Sequence, residues 1–134
     1  MISVFLDTSA YSAFFRGQEE VVEILGEAET ISVNPIMVGE LLFGFREGSR
    51  SLRNERTLEE FLNSPRVRLL PLDLETSRRY SVIRSALKKA GTPIPANDLW
   101  IAATAMQYGL EIVTTDAHFM RVPQVLVRWV SLPQ

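Results

Sequence analysis

A parallel α/β sheet with helices on both faces is the fold the sequence predicts, and three observations predict it. Short apolar runs alternate with helical patterns along the chain, an order that favours a parallel sheet. Three of the four aspartates, Asp7, Asp98 and Asp116, fall where an apolar run ends or a helix begins. Ligand-binding residues of such sheets gather at the carboxyl ends of the strands. Finally, 134 residues with 46% apolar and 22% charged side chains suit one domain, spanning 1–134, with a single core.

The first strand covers residues 2–6, and Thr8 and Ser9 are favourable N-caps for a helix through Tyr11, Phe14 and Phe15. Gly17 separates it from an acidic amphipathic helix that turns Val21, Val22, Ile24 and Leu25 inward. Ile31-Ser32-Val33 is a short second strand. Asn34 and Pro35 then supply the cap and first-turn proline of a third helix, residues 36–47, which is apolar almost all round. Gly48 and Ser49 break the pattern before a polar helix at 52–62, and the third strand is 67–70. An amphipathic helix at 76–90 stops at Gly91, and another at 96–108 stops at Gly109. The fourth and fifth strands are 111–114 and 125–130.

Several chemistries are excluded. Without cysteine there are no disulfides, thiolate nucleophiles or cysteine zinc sites, which fits a reducing compartment. His118 is the only histidine, and with no G-x-S-x-G elbow it suits no hydrolase triad; it reads as packing or hydrogen-bonding beside Asp116. There is no P-loop and no glycine-rich dinucleotide motif. A D-x-D phosphatase needs an aspartate where Ser9 stands, and a phosphoacceptor receiver domain needs adjacent acids where Thr8 follows Asp7. No apolar run approaches the roughly 20 residues that span a bilayer, and no signal-peptide layout opens the chain, so the expected location is cytoplasmic. The net charge is −2, yet the bases are twelve arginines against two lysines. Arginine's planar fork suits phosphate. Arg46, Arg50, Arg53 and Arg56 lie near Glu40 in sequence, whereas Arg78, Arg79, Arg84, Lys88 and Lys89 read as a solvated helix face.

The chemistry points to Asp7, Glu40, Asp98 and Asp116. Each aspartate has a structural explanation as well: Asp7 as a turn residue, Asp98 at the positive end of a helix, Asp116 as a turn cap. Glu40 is harder to explain that way, because its helical neighbours Ile36, Met37, Phe43 and Gly44 include no base, and a glutamate on an apolar surface is costly to bury alone. Carboxylates drawn together at strand ends repel by roughly 4 kcal/mol per pair at about 4 Å and an effective dielectric near 20. A divalent cation relieves that repulsion. Mg²⁺ and Mn²⁺ take oxygen ligands, and such an ion activates water as a nucleophile without a histidine base. Two of them 3.5–4 Å apart, roughly, divide attack from leaving-group stabilisation. Thr8, Asn97, Thr114 and Thr115 flank the acids and suit either orienting roles or caps and turns.

Four segments then stand out together: Val4-Phe5-Leu6-Asp7-Thr8-Ser9, Gly39-Glu40-Leu41-Leu42-Phe43-Gly44, Asn97-Asp98-Leu99-Trp100-Ile101-Ala102-Ala103 and Val113-Thr114-Thr115-Asp116-Ala117-His118-Phe119. In order and interval they resemble the four motifs of PIN domains, most closely the VapC-like toxins of toxin–antitoxin modules, over essentially the whole chain. The resemblance implies a three-layer sandwich around a five-stranded parallel sheet in the order 3-2-1-4-5, which makes strands 1 and 4 neighbours. It implies a Mg²⁺- or Mn²⁺-dependent endoribonuclease whose metal ligands are Asp7, Glu40, Asp98 and Asp116, with Thr114 as the threonine of the T-x-D motif and Thr8 following the first acid. It implies a homodimer inhibited by a cognate antitoxin. RNA is expected to meet Arg46, Arg50 and Arg53 in a salt-dependent way. Two other readings stay open at this point. One is a PIN-like RNA- or protein-binding module without turnover, and the other is a DNA-directed nuclease with the same metal chemistry.

Overall fold

The computed structural model describes residues 2–133. Five short strands, β1 (Ser3–Leu6), β2 (Thr30–Val33), β3 (Val67–Leu69), β4 (Glu111–Thr114) and β5 (Leu126–Trp129), form one sheet in the order β3-β2-β1-β4-β5. Every pairing is parallel. The expected order and direction both hold. The central strand β1 is buried from Val4 to Leu6, as a strand covered on both faces must be. Its register places Leu6 opposite Val113, so Asp7 and Thr114 leave the sheet side by side.

Six helices connect the strands: α1 (Thr8–Phe15), α2 (Glu19–Glu27), α3 (Pro35–Arg46), α4 (Ser51–Leu62), α5 (Leu74–Ala90) and α6 (Ala96–Tyr108). The expected Asn34 cap is present, with its side chain accepting from the Met37 amide at 3.0 Å and Pro35 at the first helical position. Asn34 also donates to Thr104 at 2.9 Å, a fully buried bond that ties the start of α3 to α6. Gly91 and Gly109 end α5 and α6 in the left-handed conformation, with φ of 72° and 65°, where a side chain is strained.

Three local expectations need correction. The cap of α1 is Asp7 rather than Thr8 or Ser9: its carboxylate accepts from the Ala10 amide at 2.8 Å, and the two hydroxyls bond elsewhere. Val22 is exposed, because it lies about 100° round α2 from Val21 and off the stripe of Val21, Ile24 and Leu25. Helix α5 begins at Leu74, before Thr76, because Asp73 and Thr76 form a capping box. The turn after Asp116 is a 3-10 helix, Ala117–Arg121, whose Phe119 is fully buried.

Candidate metal centre

Strand order and helix starts build the site. Asp7 ends β1, Asp98 lies in the first turn of α6, Glu40 is midway along α3, and Asp116 caps the 3-10 helix that follows β4.

On the sheet side the contacts are saturated. Asp7 is only 3% exposed. Its Oδ1 accepts from Ala10 N at 2.8 Å, and its Oδ2 accepts from Thr114 Oγ1 at 2.6 Å. Ser9 Oγ reaches both oxygens, at 2.9 and 3.0 Å, and accepts from the Thr115 amide at 3.0 Å. Thr114 Oγ1 in turn accepts from the Asp116 amide at 2.9 Å, so one buried hydroxyl fixes two of the acids. Thr115 takes part only through its backbone, its carbonyl accepting from Trp129 Nε1 at 3.2 Å.

The helix side is looser. Thr8 Oγ1 donates to Glu40 Oε1 at 2.7 Å, and Asn97 Nδ2 donates weakly to Oε2 at 3.4 Å. Those contacts account for a glutamate on an apolar helix, and they close one side of a cleft of about 570 Å³ that Ile36 and Phe43 also line. Asp98 and Asp116 face each other across His118. Its Nδ1 lies 3.1 Å from Asp116 Oδ1 and 3.5 Å from Asp98 Oδ2. The backbone N–H of His118 already donates to that Asp116 oxygen at 2.9 Å.

Electrostatics agree with the geometry. Burial pushes the Asp7 carboxyl up to about 6 against the pull of its Thr114, Ala10 and Ser9 hydrogen bonds. Asp98 also rises to about 6, through burial first and then the negative charges of Asp116 and Glu40, with His118 opposing. Among the described residues no lysine or arginine forms an ion pair with any of the four acids. The fit to a divalent cation follows from the donors themselves. Oxygens of Asp98 and Asp116 and a nitrogen of His118 lie within 4.8 Å of one another, in a region of uncompensated negative charge. Asp7 and Glu40 flank this trio without joining it at that spacing.

Two contributors escaped sequence reasoning. Ser9 contacts Asp7, and its hydroxyl lies 3.3 Å from that of Thr114, 105 positions away. His118, read only as a neighbour of Asp116, turns a ring nitrogen into the acidic cluster. The signal for both is the four-segment pattern itself, since each lies inside a quoted motif. Arg46, Arg50 and Arg53 are exposed, and Arg50 and Arg53 line a shallow cleft at the α3–α4 turn, separate from the one beside Glu40. Tyr11 is buried, and Trp100 stacks on Tyr80 with ring centroids 4.2 Å apart.

The PIN domain profile matches residues 4–125. The chain is similar to Ribonuclease VapC4 of Mycobacterium tuberculosis, 33% identical over 71% of this chain and 73% of that protein. It is similar to Ribonuclease VapC of Rickettsia bellii, 32% identical over 98% of each chain. In structure it resembles DNA-bound VapBC from Salmonella typhimurium, with a TM-score of 0.84, 26% identity, and 96% of this chain and 98% of that one covered.

Proposed function

The chain belongs to the PIN domain family, and from that premise we propose that it is a Mg²⁺- or Mn²⁺-dependent endoribonuclease acting as the toxin of a toxin–antitoxin module. One observation carries the reading: four acids from distant segments converge at the carboxyl end of the sheet, and two of them are pushed up to about 6, with no lysine or arginine among the described residues paired to any of the four. Such a cluster is built for a cation. The ribonuclease names of the VapC relatives support RNA as the substrate class.

In this reading Asp98 and Asp116 are the direct metal ligands, and Asp7 and Glu40 complete the negative wall around them. A bound divalent cation lowers the pKa of water toward neutrality and offsets the charge that grows on the phosphodiester during displacement. The rest of the work belongs to the chain. Thr114 and Ser9 hold Asp7 in one orientation, and Thr114 also sets the backbone of Asp116. Thr8 and Asn97 keep the Glu40 carboxylate turned toward the cleft. Arg46, Arg50 and Arg53 meet the phosphates of an RNA strand outside the acidic centre, where repulsion of the phosphate is least. The solved VapBC complex of a similar fold supports a cognate antitoxin as partner. Phe43, 66% exposed on α3 beside the cleft, supports an apolar contact with that partner or with a second copy in a homodimer. No helix among the described residues is long and apolar enough to cross a membrane, and we assign the toxin to the cytoplasm.

The test is cleavage of a panel of structured RNAs by antitoxin-free protein in EDTA, Mg²⁺ and Mn²⁺. Wild type is expected to cut only with metal. Asp98→Asn and Asp7→Asn are expected to lose roughly 10²–10³-fold or more, in the range seen when a charge-stabilising group is removed. Equal cutting by wild type and both variants would remove the acids from the active site.

A further inference from the structure

We propose that His118 Nδ1 is itself a ligand of the divalent cation, so that the ion sits in a mixed oxygen and nitrogen donor set and Mn²⁺ is favoured over Mg²⁺. This rests on the metal-site reading above and refines it.

Three observations carry it. The first is orphaning. The His118 ring is 41% exposed, yet its Nδ1 is buried and has no hydrogen-bond partner. Buried polar atoms are almost always partnered, and leaving one unmade costs about 1–3 kcal/mol. This nitrogen points between two carboxylates, 3.1 and 3.5 Å away, and is in line with neither.

The second observation is local construction. Asp116 caps the 3-10 helix by accepting from the His118 amide at 2.9 Å. That closed loop of residues 116–118 turns the imidazole back over the carboxylate that caps it. The Asp116 oxygen nearest the ring accepts the backbone N–H, and Nδ1 makes no aligned hydrogen bond to it despite the short distance. Buried Phe119, the next residue, anchors the turn in the core.

Spacing is the third. Adjacent donors around an ion with bonds of about 2.1 Å at right angles stand roughly 3 Å apart. Nδ1 meets that condition with Asp116 and approaches it with Asp98, and all three donors lie within 4.8 Å of one another. A nitrogen donor changes selectivity. Mg²⁺ is a hard ion satisfied by oxygen, whereas along the first-row series from Mn²⁺ onward imidazole is bound with increasing preference.

The experiment loads the full chain with Mn²⁺ in the absence of RNA and uses pulsed electron paramagnetic resonance to look for nitrogen coupled to the ion. Equilibrium binding of Mn²⁺ and of Mg²⁺ is measured beside it for wild type, His118→Phe and Asp98→Asn. The expected result is directly coordinated nitrogen in wild type, its absence in His118→Phe, and a loss of Mn²⁺ affinity there of roughly tenfold or more, with a smaller loss for Mg²⁺. Because the wild-type spectrum alone answers the question, it does not depend on the variant folding. Mn²⁺ that binds, is weakened by Asp98→Asn and shows no coordinated nitrogen would overturn the role of His118 and leave the acidic metal site standing. Wild type that binds no Mn²⁺ would overturn both.

Discussion

The two halves of the acidic centre differ in how their charges are held. In the sheet half, Asp7 is buried and its oxygens are taken by one amide and two hydroxyls. In the helix half, Asp98 and Asp116 stand opposite each other, and His118 Nδ1, 3.5 and 3.1 Å from them, makes no aligned hydrogen bond to either. Both halves raise a carboxyl to about 6, by burial first and then in different balance. Asp7 rises against three opposing hydrogen bonds with only a last, smallest push from the Asp98 charge, while Asp98 is raised further by the charges of Asp116 and Glu40. The contrast teaches a division of labour. The sheet half is complete without a ligand and acts as a fixed wall, and the helix half is complete only when something positive enters.

The largest expected effect is the pH dependence of metal-free stability. A carboxyl whose pKa rises from 3.8 unfolded to about 6 folded binds its proton more tightly in the native state. Its stabilising contribution is therefore fully present below pH 3.8 and is lost as pH rises through about 6. For buried Asp7 that loss amounts to about 3 kcal/mol, and Asp98 adds to it in the same direction. Urea denaturation in EDTA should show stability falling as pH rises from 3.8 to about 6, the interval between the unfolded and folded values of the two carboxyls. Mn²⁺ at pH 7 should restore it, since a ligand bound only by the native state stabilises it. Asp98→Asn should flatten the pH dependence and raise metal-free stability at pH 7. A curve that does not change with pH would mean that neither half stores charge repulsion.

The same division explains what could be read in the chain. Strand and helix positions were legible because local patterns set them: alternating elements, the Asn34–Pro35 start, the glycine stops. The acids stood out as candidates because Glu40 has no base at helical spacing and all four fall inside the family motifs, and the resemblance also implied the sheet order that sets strands 1 and 4 side by side. The connections between distant segments were not legible. Ser9 looks like a cap until β1 and β4 pair and bring it to Thr114 and Thr115. Asp7 takes the capping role instead, which only the backbone angle at that residue decides. The direction of the His118 ring depends on a 3-10 turn too short to leave a periodic pattern. Val22 failed for a simpler reason: four apolar residues in a five-residue window cannot all share a face of a helix.

Thr114→Val probes the sheet half and has the next largest effect. The change keeps the β-branched shape and removes a fully buried hydroxyl that donates to Asp7 Oδ2 and accepts from the Asp116 amide. Both partners are left with an unmade hydrogen bond, and a loss of about 1–3 kcal/mol is expected at pH 7 in urea denaturation. The loss should shrink near pH 5, where Asp7 is protonated and can donate elsewhere. Cleavage should fall as well, because the same hydroxyl orients two acids.

Thr8→Val makes the identical chemical change in the helix half, and it is the sharper comparison because only the surroundings differ. Thr8 donates to Glu40 Oε1 at 2.7 Å, but this pair is part-buried at the wall of an open cleft. Water can replace the lost donor, so no desolvated charge is stranded and the cost should stay within about 0.5–1.5 kcal/mol, the net worth of an ordinary hydrogen bond. Freed from Thr8, Glu40 keeps only the long 3.4 Å contact from Asn97 and gains rotamer freedom. The effect should therefore appear in cleavage and Mn²⁺ affinity more than in stability. Stability losses for Thr8→Val and Thr114→Val measured side by side decide the matter. A smaller loss at Thr8 supports a fixed wall facing an adaptable one. Equal losses would mean that both halves are equally rigid and that the open half is set before any ion binds.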